Sequence, residues 1–445
     1  MSKDRKIKPE LLGGFRDYIP DVMLAKQEVL STIRRSFEQF GFLPLDTPAL
    51  ERSAVLGTDT NEFKMEVYRF TAGDQDVTLR FDLTVPLARV VAAYPEILKP
   101  FKRYQCGSVW RKEKPQAGRF REFTQFDADI VGSNSILADA EIITLMYTTM
   151  KNLGLDNFLI RFNNRKILNG LPEVASFEKK KAASVFRVLD KLEKIGLEAV
   201  LAELKMEPVS VFDEESLNLS DQSVVKITEF LSLAGASLSD LKKFFRGVVI
   251  AEEGIVECEE ISQLLKSLDI PSKNWQFDLS VARGLGYYTG PVFETTLLDL
   301  PQIGSVFSGG RYDDLVTRFT GEKIPATGAS VGVDRLIAAL EAMGKLKKIK
   351  SVTKTLIAFT SKTLSRKAFV LAQKMRSAGI NSEVFLGKED SLKGQIIYAL
   401  KQGIPFVIIM GEEEDSAGQV KIKDMNNRTE TLIPAGDVVA FLKNR

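Results

Sequence analysis

Histidine is absent from all 445 residues of this chain. That excludes a Ser-His or Cys-His nucleophile, an imidazole metal site and a histidine general base. Chemistry must run on carboxylates, arginines, tyrosines, backbone groups or the substrate itself. Cysteine is almost absent too. Cys106 and Cys258 lie far apart and suggest neither a disulfide framework nor a zinc cluster, so no metal held by His or Cys is expected. No apolar run approaches the ~18–20 residues of a membrane-spanning helix. The basic start MSKDRKIKPELLGG leads into no apolar core, so it does not read as a signal peptide. A cytoplasmic protein with no membrane contact is the expectation. Nothing matches GxxxxGK[ST], which argues against a P-loop ATPase.

What is present fits an ordinary soluble protein of two or three domains, 44% hydrophobic and 27% charged. Net charge is +2 but unevenly spread: the stretch from Lys350 onward carries 15 Lys/Arg against 10 Asp/Glu. A modestly basic tail permits nucleic-acid contact without requiring it. Hydrophobic periodicity predicts helices at Met23–Phe42, Val85–Ala93 and Ser135–Leu153, and a hairpin with strands Arg103–Arg111 and Phe120–Val131. Phe42–Pro48 reads as a strand interrupted by prolines, hence an edge or interface. The texture divides the chain into 1–166, of mixed strand and helix, a helical insertion at 167–270, a return to strand patterning at 271–344, a basic linker at 345–353 and an alternating α/β segment at 354–445.

Three stretches carry the chemistry. In Phe277–Glu294, FDLSVARGLGYYTGPVFE, Arg283 and the pair Tyr287–Tyr288 sit among glycines between two strand-like runs. Taken alone this reads as a hairpin with a glycine-rich turn. The Gly284-Leu285-Gly286 step is no dinucleotide loop, because a strand pattern follows where a helix must open. In Val109–Gly132, VWRKEKPQAGRFREFTQFDADIVG, Arg111 and Glu113 share a face. Arg121, Phe123, Gln125, Asp127 and Asp129 alternate onto one face of the returning strand, a surface too polar for a core and suited to a nucleotide. In Gly328–Leu340, an apolar strand runs into a helix with Arg335 near its start, and Asp82 and Thr84 stand two apart in Leu79–Val90.

The first stretch resembles the histidine-binding signature of histidyl-tRNA synthetases, a class II (class IIa) aminoacyl-tRNA synthetase family, and the other motifs follow in that family's order. The resemblance implies an α+β fold: an antiparallel-sheet catalytic core (1–166 and 271–344) with a helical insertion domain (167–270), a linker, and a small α/β anticodon-binding domain (354–445). It implies that Arg111 holds the α-phosphate of ATP, Glu113 the adenine amino group and Phe123 the adenine ring, with Arg121 and Arg335 at the outer phosphates. Asp82, Thr84 and Gln125 take the α-amino group of histidine, and Asp129, Tyr288 and Tyr312, with Tyr287, line its imidazole pocket. Arg283 bridges the substrate carboxylate and the α-phosphate, Gln116 faces the tRNA acceptor end, and Pro48 lies in a homodimer interface. Asp82 and Asp129 are each one methylene shorter than the glutamates common in that family.

The implied activity is ligation of L-histidine to tRNA-His with ATP and Mg²⁺. Two relatives with other roles share this core: a non-catalytic, histidine-binding regulatory subunit of ATP phosphoribosyltransferase, and synthetase-like RNA-binding stress sensors. The first lacks the C-terminal domain and its ATP arginines are eroded, whereas Arg111, Arg121, Arg283 and Arg335 are all present here. The second appends the domain to other modules, and no kinase-like sequence occurs here.

Overall fold

The computed structural model describes residues 7–57, 67–114, 118–189, 192–206, 217–233, 235–281, 287–387 and 391–445. They form two compact units, one of Met1–Arg16 with Val29–Lys345 and one of Asp17–Glu28 with Leu346–Arg445. None of the described helices is long and apolar enough to cross a membrane.

The larger unit is built on an eight-stranded sheet. Its spatial order is β1 (Leu43–Pro44), β5 (Phe101–Trp110), β6 (Glu122–Val131), β11 (Ala326–Gly332), β10 (Ser305–Arg311), β9 (Pro291–Leu297), β7 (Phe158–Asn164) and β8 (Trp275–Phe277). All inner pairings are antiparallel, and only the edge pairs β1–β5 and β7–β8 are parallel. A smaller sheet holds β2 (Leu50–Arg52), β4 (Gln75–Leu79) and β3 (Arg69–Ala72). The edge position expected for the proline-rich Phe42–Pro48 is observed. β1 is two residues long, because proline cannot continue a ladder.

Alternation along β6 sets the two faces of the sheet apart. Phe126, Ala128 and Ile130 are buried on one side. There Phe126 meets Phe37 of the helix Pro20–Gln39 edge-on at 5.1 Å, and Phe37 also packs against Phe42, Tyr104 and Phe307. Losing one such ring typically costs about 3–5 kcal/mol. This aromatic layer clamps the strand, so Phe123, Gln125, Asp127 and Asp129 are held rigidly on the other side.

The hairpin reading of Phe277–Glu294 does not hold. β8 and β9 pair with opposite sides of β7, β8 in parallel and β9 antiparallel, so β7 lies between them. The two strands are therefore not paired with each other, as the strands of a hairpin would be. Among the described residues between β7 and β8 the elements are helices, from Arg165–Asn169 to the long helix Val249–Ser267. Ser220 and Ser237 cap helices there by accepting from the backbone N–H of Ser223 and Asp240.

The smaller unit has five strands in the order β13 (Ser382–Val384), β12 (Thr355–Phe359), β14 (Phe406–Met410), β15 (Gln419–Asp424), β16 (Thr429–Pro434), the first three mutually parallel. Its central strands are buried on both faces. Ile357 and Ile408 pack with Ala368, Leu371 and Met375 of the helix Ser365–Ser377, while Leu356, Val407 and Ile409 cluster with Ala399 of the helix Leu392–Gln402. A continuous apolar run such as FVIIM is what a strand covered on both sides requires.

Candidate active site

The register of the large sheet gathers the polar residues of five strands into one surface. Gln105 of β5, Asp127 of β6, Ser330 of β11, Ser308 of β10 and Glu294 of β9 follow one another straight across it. One residue pair along, Arg103 faces Asp129, which faces Gly328, which faces Gly310. The glycines keep the floor open. A Cβ at Gly328 would overlap the Asp129 carboxylate, and one at Gly310 would come within 2.9 Å of Tyr288.

Above this surface lies a cavity of about 300 Å³ whose lining includes Asp82, Thr84, Arg111, Glu113, Phe123, Gln125, Asp129, Tyr287, Tyr288, Tyr312 and Arg335. Eleven of the residues read from the sequence thus meet at one place. They are ordered along β6: from Phe123 to Asp129 is six steps of ~3.3 Å, about 20 Å.

One end is cationic. Arg111, just beyond β5, donates to the carbonyl of Phe81 at 3.0 Å, and its guanidinium lies 5.2 Å from the centre of the Phe123 ring. Arg335, in the first turn of the helix Val333–Ala342, donates to the carbonyl of Ser305 at 2.7 Å. Burial first, then the neighbouring charges of Arg119 and Arg111, pulls the Arg335 guanidinium below its ordinary range, opposed by Glu113. Such a site gains by taking up an anion. Glu113 is ion-paired with Arg119, which also lines the cavity.

The other end is anionic and aromatic. Asp82, 1% exposed, accepts the N–H of Val85 at 3.0 Å at the start of the helix Thr84–Ala93. Burial pushes its carboxyl up to about 6, opposed by that hydrogen bond and the charge of Arg111. Asp129 accepts from the Tyr312 hydroxyl at 2.5 Å and lies 2.8 Å from Nη2 of Arg103. Its pKa is also raised by burial, with Arg103 the main opposing influence. Tyr287 stands edge-on to Tyr288 at 5.1 Å and to Tyr312 at 5.9 Å. Gln125 Nε2 donates to Ser330 Oγ at 2.7 Å.

Of the other four expected residues, two are described and two are not. Arg121 does not line the cavity: its guanidinium donates to the carbonyls of Glu113 at 3.3 Å and Gly13 at 3.1 Å, which holds it behind Glu113. Pro48 borders a separate surface hollow with Glu51 and Arg89. Arg283 and Gln116 lie outside the described residues. Conversely, Asp127, Glu294 and Ser330 line the cavity, and Arg103 braces its floor, without having been assigned a role from the sequence. Arg103 was within reach of the hairpin register, since pairing Arg111 with Arg121 puts residue 103 opposite 129.

Residues 14–336 match the family model described as histidyl-tRNA synthetase, and residues 354–445 match an anticodon binding domain. A protein named histidine–tRNA ligase from Wolinella succinogenes is 42% identical over 437 residues, covering 96% of each chain. The crystal structure of histidyl-tRNA synthetase from Nostoc sp. superposes with a TM-score of 0.84 at 32% identity, covering 99% of this chain and 100% of that one. A structure described as an ATP phosphoribosyltransferase regulatory subunit/histidyl-tRNA synthetase from Bacillus halodurans superposes with a TM-score of 0.74, covering 92% of this chain and 99% of that one. At 24% identity this second likeness speaks to the fold alone.

Proposed function

The chain belongs to the histidyl-tRNA synthetase family, and from that premise we propose that it activates L-histidine with ATP to histidyl-adenylate and transfers the histidyl group to the 3′ end of tRNA-His. One observation supports this most strongly. A single cavity along β6 has arginines at one end and carboxylates with tyrosines at the other, the polarity that a nucleoside triphosphate beside a cationic amino acid requires.

The reaction needs no imidazole from the enzyme. The substrate carboxylate is an anion at neutral pH and attacks the α-phosphate in line, so the protein's task is positioning and neutralising charge. Arg111 and Arg283 flank the α-phosphate, and Arg335 takes the leaving pyrophosphate. Arg121, behind Glu113, braces the residue that reads the adenine amino group, while Phe123 stacks on the ring. Among the described residues no three carboxylates or thiols are grouped to hold a metal. Mg²⁺ bound to ATP would supply charge neutralisation at its phosphates. At the other end Asp82, Thr84 and Gln125 hold the ammonium, and Asp129, Tyr288 and Tyr312 read the ring.

In the second step a terminal ribose hydroxyl of tRNA attacks the adenylate carbonyl, an adenylate phosphate oxygen accepts its proton, and the acyl–phosphate bond breaks to release AMP. The domain 354–445 binds the anticodon, Gln116 faces the acceptor end, and Pro48 lies in the interface of a cytoplasmic homodimer. The test is ATP-dependent transfer of labelled histidine to tRNA-His. Binding of histidine without any charging would favour the regulatory-subunit reading instead.

A further inference from the structure

Asp127 is 2% exposed, lines the cavity between Gln125 and Asp129, and was given no role above. Ser330, directly opposite it on β11, hydrogen-bonds its side chain and also accepts from Gln125 Nε2. That arrangement orients both partners. The Gln125 amide spends its N–H on Ser330 and turns its oxygen free, and Asp127 keeps one oxygen free.

Apart from Asp129 Oδ2, which is ion-paired with Arg103, three acceptors of this cavity wall are then buried with no hydrogen-bond partner among the described residues: Asp82 Oδ2, Gln125 Oε1 and Asp127 Oδ1. Unpaired buried acceptors are costly, and a wall made of them calls for a donor. Charge points the same way. Asp82, Asp127 and Asp129 share this end of the cavity, while Arg103 makes its ion pair with Asp129. An ammonium group supplies three N–H donors and one positive charge, which matches three acceptors and the carboxylates clustered at this end.

Resting on the reading of this cavity as the histidine site, we infer that Asp127 is a direct ligand of the substrate's α-ammonium group, completing a three-acceptor cup with Asp82 and Gln125. Thr84 then stands at its rim. The ring end of the pocket, at Asp129 and Tyr312, is independent of it.

The experiment compares two ligands that differ at the ammonium. Histidinol keeps ring and ammonium, whereas 3-(imidazol-4-yl)propionate keeps ring and carboxylate but has no ammonium. Dissociation constants for both are measured calorimetrically on the full chain and on Asp127→Asn, which preserves shape and removes charge. Losing one charge-assisted hydrogen bond should weaken histidinol about 10- to 100-fold. The propionate should change by less than about threefold, and Asp127→Glu should recover part of the loss. Equal weakening of both ligands would make Asp127 a support for the pocket's shape and overturn the proposal, as would unchanged histidinol binding. A wild-type chain that binds neither ligand would overturn the histidine reading itself, and this proposal with it. Thermal melts of the variants separate loss of binding from loss of folding, and Asp127→Glu carries the comparison should Asp127→Asn not fold.

Discussion

Arg103 is fully buried, donates to the carbonyl of Leu83 at 3.1 Å and sits 2.8 Å from Asp129. Replacing it with leucine keeps much of the volume and strands the Asp129 carboxylate in the sheet. Breaking one side of a buried ion pair typically costs about 3–5 kcal/mol. Asp129 can limit that cost by taking a proton, at about 1.4 kcal/mol for each pH unit between its new pKa and the solution. Arg103→Leu should lower the melting temperature of the larger unit by up to roughly 6–10 °C, at roughly 2 °C per kcal/mol, and by less as the pH falls and Asp129 takes up a proton. Asp129→Asn in the same background removes the orphaned charge, so the double variant should be more stable than the sum of the single losses by about 2 kcal/mol. Differential scanning calorimetry of the four proteins reads this coupling. Additivity within about 0.5 kcal/mol would show that Arg103 does not act through Asp129, and the account of the pocket floor would fail.

Gly328→Ala drives a methyl into the Asp129 carboxylate, so it should raise KM for histidine at least tenfold while leaving KM for ATP near its original value. An equal rise in both constants would mean that the strand itself had moved. Arg283→Lys retains a charge but loses the planar fork that spans carboxylate and phosphate, and should lower turnover by roughly 10²–10³. Full activity would remove Arg283 from the reacting centre. Burial puts Asp82 near 6 and Asp127 near 7, and both must be anionic to hold an ammonium. Activation kcat/KM should therefore fall as pH drops through 7 and 6, and this inflection should persist with a histidine analogue whose ring has a much lower pKa. Disappearance of the inflection with that analogue would assign it to the substrate's ring.

Much of this site was legible because strand period and ligand chemistry coincide. Phe123, Gln125, Asp127 and Asp129 are spaced two apart, and the same alternation puts Phe126 and Ala128 in the core. What escaped depends on contacts between distant segments. Arg121 follows the same alternation, yet its guanidinium is captured by carbonyls of Gly13 and Glu113, a local competition that no spacing rule registers. The sequence-level hairpin failed because β7, more than a hundred residues earlier, inserts between β8 and β9. Arg103 reads as an ordinary charged strand residue, and only its register opposite Asp129 reveals why a buried guanidinium is tolerated. In the smaller unit the apolar runs Leu356–Phe359 and Phe406–Met410 lie in β12 and β14, whose burial on both faces leaves no alternation to interpret.

ATP–pyrophosphate exchange without tRNA, run with a panel of amino acids, tests the central claim most directly. It isolates activation, the step assigned to the cavity along β6, from everything that tRNA contributes. Histidine alone should support exchange. Exchange supported by proline or threonine but not by histidine would contradict the assignment.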